Sequence, residues 1–186
     1  MASITSYAQN GGALTINAKV IDEVRAIVRI DHKDIVIFSI PFENGSLNVE
    51  LPEEMDSKLL TPIGKILDYT DVEISNENAN AIGILRLYAF KNNVKIGYFE
   101  FSEKVSDFQN STSFDAYFLY VDTDVKITGT HNDRWFSAEY SIDLNLKKGW
   151  NMVYTITKIT DSTFDIIVTT QKPDIELQWH FEELKK

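Results

Sequence analysis

The chain is 186 residues long and carries 18 basic against 28 acidic side chains, a formal net charge of −10, with no cysteine. The missing cysteine excludes disulfide frameworks, thiolate zinc sites, iron–sulfur clusters and cysteine nucleophiles. The acidic balance argues against nucleic acid or an anionic membrane surface, both of which reward clustered Lys and Arg. With 44% apolar and 25% charged residues the composition is that of a folded globular protein, and at about 150 residues per domain the length provides for one domain or two small ones.

Met1-Ala2-Ser3-Ile4 lacks a basic stretch followed by an apolar run, so no signal peptide is expected here, and no apolar run approaches the about 18 residues that span a bilayer. Residues 1–12, ending Gln9-Asn10-Gly11-Gly12, read as a flexible leader ahead of a single β domain over 13–186. Leu14, Ile16, Ala18 and Val20 then alternate with polar residues, as do Val24, Ala26, Val28 and Ile30, the period of a strand with one buried face. Ile35-Val36-Ile37-Phe38 does not alternate and is expected to be a central strand covered on both faces. Asn44-Gly45 is a hairpin signal, after which Leu47, Val49 and Leu51 face inward. Pro52-Glu53-Glu54-Met55 predicts a short helix that Pro62 and Gly64 interrupt. The irregular stretch up to Ala79, with Val72-Glu73-Ile74 as a short strand, is where a boundary between two sub-lobes is expected, within 60–80.

Ile84–Phe90 and Val94–Phe99 read as a hairpin about the turn Lys91-Asn92-Asn93, and 102–113 as a polar loop. Strands follow at Phe114–Val121, Val125–Thr130, Phe136–Leu144, Trp150–Thr157, Phe164–Thr170 and Ile175–Phe181. About a dozen strands separated by turn residues predict an antiparallel sandwich or barrel, without the βαβ alternation of a doubly wound enzyme fold.

The C-terminal half holds the most distinctive local pattern: Tyr120-Val121-Asp122-Thr123-Asp124, Lys147-Lys148-Gly149-Trp150-Asn151, Thr169-Thr170-Gln171-Lys172-Pro173 and Leu177-Gln178-Trp179-His180-Phe181. On these residues the chain resembles a group of β-rich exported proteins of unknown function from gut-dwelling bacteria, many of them assigned as lipoproteins. The resemblance implies an exported protein of the cell envelope or surface, tethered through a lipid-bearing cysteine ahead of the mature chain. It supplies no catalytic residue.

The residues themselves offer several chemistries, each with a plainer reading beside it. Asp122 and Asp124, with Asp115 and Asp133 nearby in sequence, could offer oxygen ligands to calcium, but no Gly-containing loop of the required spacing accompanies them, and Asp serves turns by accepting backbone amides. His32 and His131 fall in expected turns and His180 in the last strand, with no strained Gly-x-Ser-x-Gly turn to present a nucleophile. A pair of carboxylates could hydrolyse glycosides, yet the sequence gives no way to choose the pair. The 11 Phe, 8 Tyr and 3 Trp serve mainly as core. Trp135 alone follows a turn, Asn132-Asp133-Arg134, where an indole could stack on a sugar or anchor a partner. Asn44-Gly45-Ser46 and Asn110-Ser111-Thr112 match the glycosylation acceptor pattern and read as turn chemistry.

The sequence therefore predicts an all-β, antiparallel β-sandwich of immunoglobulin-like or prealbumin-like type, with a lipocalin-like barrel as the alternative. The functional expectation is a non-catalytic binding or structural module of the envelope that contacts a glycan or a protein, with no cofactor, no metal, no nucleic acid, and membrane only through a lipid anchor absent from this chain. A barrel carrying a small apolar ligand and, after it, a glycan-active enzyme are the alternatives. Trp135 is the one candidate ligand-binding residue.

Overall fold

A computed structural model describes residues 21–30, 33–42, 49, 51–67, 71–106, 111–133, 137–160 and 163–184. Strands account for 67% of it and helix for 5%, so the all-β expectation holds. In chain order the elements are β1 (Glu23–Ile30), β2 (Lys33–Pro41), a 3-10 turn (Ser57–Leu59), β3 (Thr61–Pro62), α1 (Ile63–Leu67), β4 (Val72–Ile74) and β5 (Asn80–Ile84). They continue with β6 (Leu87–Lys91), β7 (Val94–Ser106), β8 (Ser111–Val121), β9 (Val125–Asp133), β10 (Ala138–Leu146), β11 (Gly149–Ile159), β12 (Phe164–Thr169) and β13 (Gln178–Glu183). The chain divides into two compact units: Met1–Glu53, Ile84–Phe101 and Gln178–Lys186 form the first, and Glu54–Gly83 with Ser102–Leu177 the second. The expected leader, the strand over 14–20, the Asn44-Gly45 turn, His32 and Trp135 lie outside the described residues.

In the first unit the strands run in the order β2-β1-β6-β7, with β13 also paired to β7. Their buried face consists of Val24, Ala26, Leu87, Ala89 and Phe99. Phe99 is clasped by Phe42 and Phe181 at ring distances of 5.7 and 5.2 Å, and Trp179 lies 5.0 Å from Phe101. The β6–β7 hairpin closes as the sequence predicts, because Asn92 and Asn93 adopt φ of 48° and 61°, a backbone that twists with the strands and that Asn tolerates. Gly97 is required by contact: a Cβ there would sit 2.5 Å from the Glu182 carbonyl and from the Phe181 ring.

The second unit has the order β8-β11-β12-β10-β9-β4, with β5 pairing both β3 and β8. The pairs β8–β11, β11–β12, β10–β9, β4–β9 and β3–β5 are antiparallel, whereas β10 and β12 run parallel from Ala138 opposite Phe164 to Asp143 opposite Thr169. β10 alternates buried and exposed residues along most of its length, and Ile142, Leu144 and Leu146 join Leu119, Val121, Val125, Ile127, Val153 and Val168 on one face. Ile63 from α1 and Ala79 and Ala81 cover that face. Gly129, at φ 150°, brings β4 against β9, where any Cβ would meet the Asp71 carbonyl at 2.5 Å.

Four expectations need correction. No helix starts at Pro52: Asp56 has an extended backbone, and its carboxylate accepts the Lys58 amide at 3.0 Å, so helical geometry begins only with the 3-10 turn at Ser57. The α-helix begins just after Pro62, whose missing N–H costs nothing there, and it runs through Gly64 rather than stopping at it. β2 is not central: among the described residues it pairs with β1 alone, and Val36 is 48% exposed. The strand expected over Ile84–Phe90 is broken at Leu85-Arg86, and much of the expected loop over 102–113 is strand, with β7 reaching Ser106 and β8 starting at Ser111.

Candidate functional site

The outward face of the first unit sets charged side chains among rings, whereas its buried face is apolar. Strand register places Arg25 opposite Tyr88 and Tyr88 opposite Tyr98, so a cation and two phenols form one row across β1, β6 and β7. The two tyrosine rings meet edge to face at 6.4 Å and 68°. Breaks in register at Ala26/Ile27 and at Ala89/Phe90 shift the pairing of the following residues, so Lys95 becomes the neighbour of Phe90 across the hairpin.

Each of three rings carries a cation. Arg25 lies 4.2 Å over Phe90, Arg86 lies 4.4 Å over Tyr98, and Lys95 lies 4.0 Å over Tyr88. Each cation also has a carboxylate: Arg25 pairs with Glu23, Arg86 donates to Glu100 at 2.6 Å, and Lys95 stands 3.8 Å from Asp34. The Arg25 guanidinium further donates to Asn93 Oδ1 at 2.7 Å, and the Ser39 hydroxyl donates to Glu23. The hydrogen bonds from Arg25 and then Ser39 hold the Glu23 carboxyl below its usual pKa. Burial works against the charge of Arg86, but the Glu100 hydrogen bond and charge outweigh it and raise its pKa. A concavity of about 320 Å³ opens beside this row, lined by Ile27, Asp34, Tyr88 and Lys95.

Chemically the surface offers two tyrosine rings, each with a cation over one face, and three cations and three carboxylates in balance. A carboxylate accepts and a guanidinium donates paired hydrogen bonds, so a polyhydroxylated ligand can find both partners along the edges of the tyrosine rings. The side chains at the concavity are only partly exposed: Lys95 retains 32% and Asp34 42% of their accessible surface.

Trp135, the ligand-binding candidate from sequence, lies outside the described residues. The aspartates proposed for calcium are separated by their partners. Asp122 accepts the backbone and side-chain amides of Asn80, whereas Asp124 accepts the Lys148 amide at 2.8 Å and the Lys147 ammonium at 2.9 Å. Those two donors, the Lys148 amide first, hold the Asp124 carboxyl below its usual pKa. Among the described residues no three His, Asp or Glu side chains gather closely enough to hold a metal ion. His131 packs its ring 5.7 Å from Tyr140, and His180 is exposed on β13.

The residues that sequence reasoning missed are Arg86, Tyr88, Lys95 and Tyr98. The signal was incomplete: with Asn92-Asn93 as the turn and Lys91 opposite Val94, Tyr88 would fall opposite Gly97, and it is the register break at Ala89/Phe90 that sets Tyr88 opposite Tyr98. No protein-family model matches the chain, and no curated protein or solved structure is significantly similar to it.

Proposed function

We propose that this protein is a binding module, not an enzyme, and that the outward face of its first unit contacts a glycan. The observation that carries the reading is the Tyr88–Tyr98 pair, flanked by the Lys95–Asp34 and Arg86–Glu100 ion pairs at the edge of a 320 Å³ concavity. Balanced charge suits a neutral, hydroxyl-rich ligand better than a polyanion. The shifts at Glu23 and Arg86 on this face move both groups away from neutrality, which supports a binding role for them rather than proton transfer. The second unit favours a packed module over a carrier: Leu119, Val121, Ile127, Leu144, Leu146 and Val153 are at most 1% exposed, so inward side chains fill its core.

An exported protein of the bacterial envelope fits this reading, with the resemblance described above as its support. No helix among the described residues is long and apolar enough to cross a membrane.

The test is a panel of neutral and acidic oligosaccharides titrated into the isotope-labelled chain. Binding should move the amide signals of Tyr88, Lys95 and Tyr98. Tyr88→Ala should weaken it at least about tenfold, the usual scale of a lost anchoring ring, whereas Tyr88→Phe, which keeps the ring, should retain most of it. A panel that shifts none of these amides defeats the proposal, and so does binding indifferent to Tyr88→Ala and Lys95→Met.

A further inference from the structure

A second concavity, of about 380 Å³, lies in the other unit, on the sheet face opposite its core. Its floor is apolar: Ile156 of β11 and Ile167 of β12 are cross-strand partners and half buried. Next to Ile167 on β10 stands Ser141, and one row further along Asp143 aligns with Thr169. The far wall is Gln171-Lys172-Pro173, the segment that follows β12. This wall is held in place by the backbone. The Thr170 amide donates to the Asp143 carbonyl at 3.4 Å, the Asn145 amide donates to the Thr170 hydroxyl at 3.2 Å, and the Gln171 amide donates to the Thr169 hydroxyl at 3.0 Å. Pro173 fixes its own φ and stiffens the end.

The polar groups around that floor are complementary in sign. Asp143 and Lys172 are both exposed, both line the concavity, and among the described residues neither side chain is tied into an ion pair. Asp143 comes from the sheet and Lys172 from the wall. One anion, one cation, an apolar floor between strands, and the Ser141 hydroxyl and Gln171 side-chain carboxamide together match a zwitterion with an apolar body. The volume, about that of a small drug-sized pocket at its lower end, is more than a single amino acid needs and suits two residues.

We infer that this concavity binds short zwitterionic peptides, with the free α-amino group on Asp143, the free carboxylate on Lys172 and an apolar side chain on Ile156 and Ile167. The inference uses no residue of the glycan-binding face and stands or falls apart from it.

The dipeptide Ala-Leu, its N-acetyl form and its C-terminal amide serve as probes, titrated into the isotope-labelled full chain. Ala-Leu should shift the amides of Ser141, Ile167 and Gln171 saturably, and acetylation or amidation should each weaken binding about tenfold, the loss of roughly one charge-assisted contact. The variants then assign the ends. Asp143→Asn should weaken Ala-Leu to the level of the acetylated probe while leaving the acetylated probe unchanged, and Lys172→Gln should do the same for the amide. Both residues are exposed, so neither change should disturb the fold, and an unchanged melting temperature checks this. The inference is overturned if the blocked and free peptides bind alike, if Asp143→Asn weakens both forms equally, or if no saturable shift occurs at these amides.

Discussion

Asp122 and Asn80 grip each other through three hydrogen bonds. The Asp122 carboxylate accepts the Asn80 backbone amide and its side-chain amide, each at 2.9 Å, and the Asp122 amide donates back to the Asn80 carbonyl at 3.0 Å. The pair ties the start of β5 to the end of β8, close to where Ala79 and Ala81 cover the second unit's core. Bonds to a charged acceptor contribute about 1.5–3 kcal/mol each at most, and a partner left unsatisfied adds its own cost. Asp122→Ala should therefore lower stability by about 2–3 kcal/mol, read from urea midpoints. Asp122→Asn, which keeps one acceptor but turns an amide donor toward Asn80, should lose about half of that. An unchanged midpoint in Asp122→Ala would show the pair to be incidental.

Much of the architecture is legible in the chain for a physical reason: period-two burial leaves its mark on β10 and Asn-Asn leaves its mark on the β6–β7 turn. What misleads is any residue whose role depends on a partner distant in sequence. Pro62 reads as a stop, yet it precedes a helix because the Ile63 amide has the Ala79 carbonyl to bond at 2.9 Å. Ile35–Phe38 reads as doubly covered, but nothing in an apolar run reveals how many neighbours its strand has. The two units are each assembled from segments far apart along the chain, and composition does not change where the chain leaves one for the other. The candidate site was not legible in this way, because the turn alone would set Tyr88 opposite Gly97 and only the break at Ala89/Phe90 brings it opposite Tyr98. The cations over those rings follow from register breaks, which the sequence does not announce.

Gly97 is a position where close approach decides the residue. A methyl group there would meet the Glu182 carbonyl and the Phe181 ring at 2.5 Å, and β13 would have to move off β7 to admit it. Gly97→Ala should cost about 1–3 kcal/mol, the range for overpacking. Local opening should follow, seen as faster hydrogen exchange at the Leu184 amide, which donates to the Ile96 carbonyl at 3.0 Å. Protection at Leu184 equal to the parent protein would refute this account of Gly97.

Acid should loosen the first unit through Glu23. Its folded pKa is depressed, so its contribution is present above the unfolded value of about 4.3 and disappears as pH falls through the folded one. Glu23 and Arg25 are partly exposed, at 31% and 22%, so the contribution belongs with surface pairs, at about 0–1 kcal/mol. Glu23→Gln should flatten the fall in stability below about pH 4.3 and lower stability slightly at neutral pH. The parent and variant curves should converge in acid, and curves that stay parallel down to the acid limit would assign the acid sensitivity to other carboxyls.

Alkali should act on the second unit through Tyr154. Burial raises its phenol pKa above the ordinary value, since the phenolate would be poorly solvated beside its strand neighbours Ala116 and Thr169. The sign is the reverse of Glu23: stability is whole below the unfolded value of about 10 and is lost as pH rises toward the folded one, because the unfolded chain releases this proton first. Ultraviolet titration should show a late tyrosine step that Tyr154→Phe removes. The same substitution should leave stability at pH 7 nearly unchanged and shift the alkaline unfolding limb upward, because the phenylalanine has no proton to lose. If the late step survives in Tyr154→Phe, another phenol carries it, and the desolvation argued for this position is wrong.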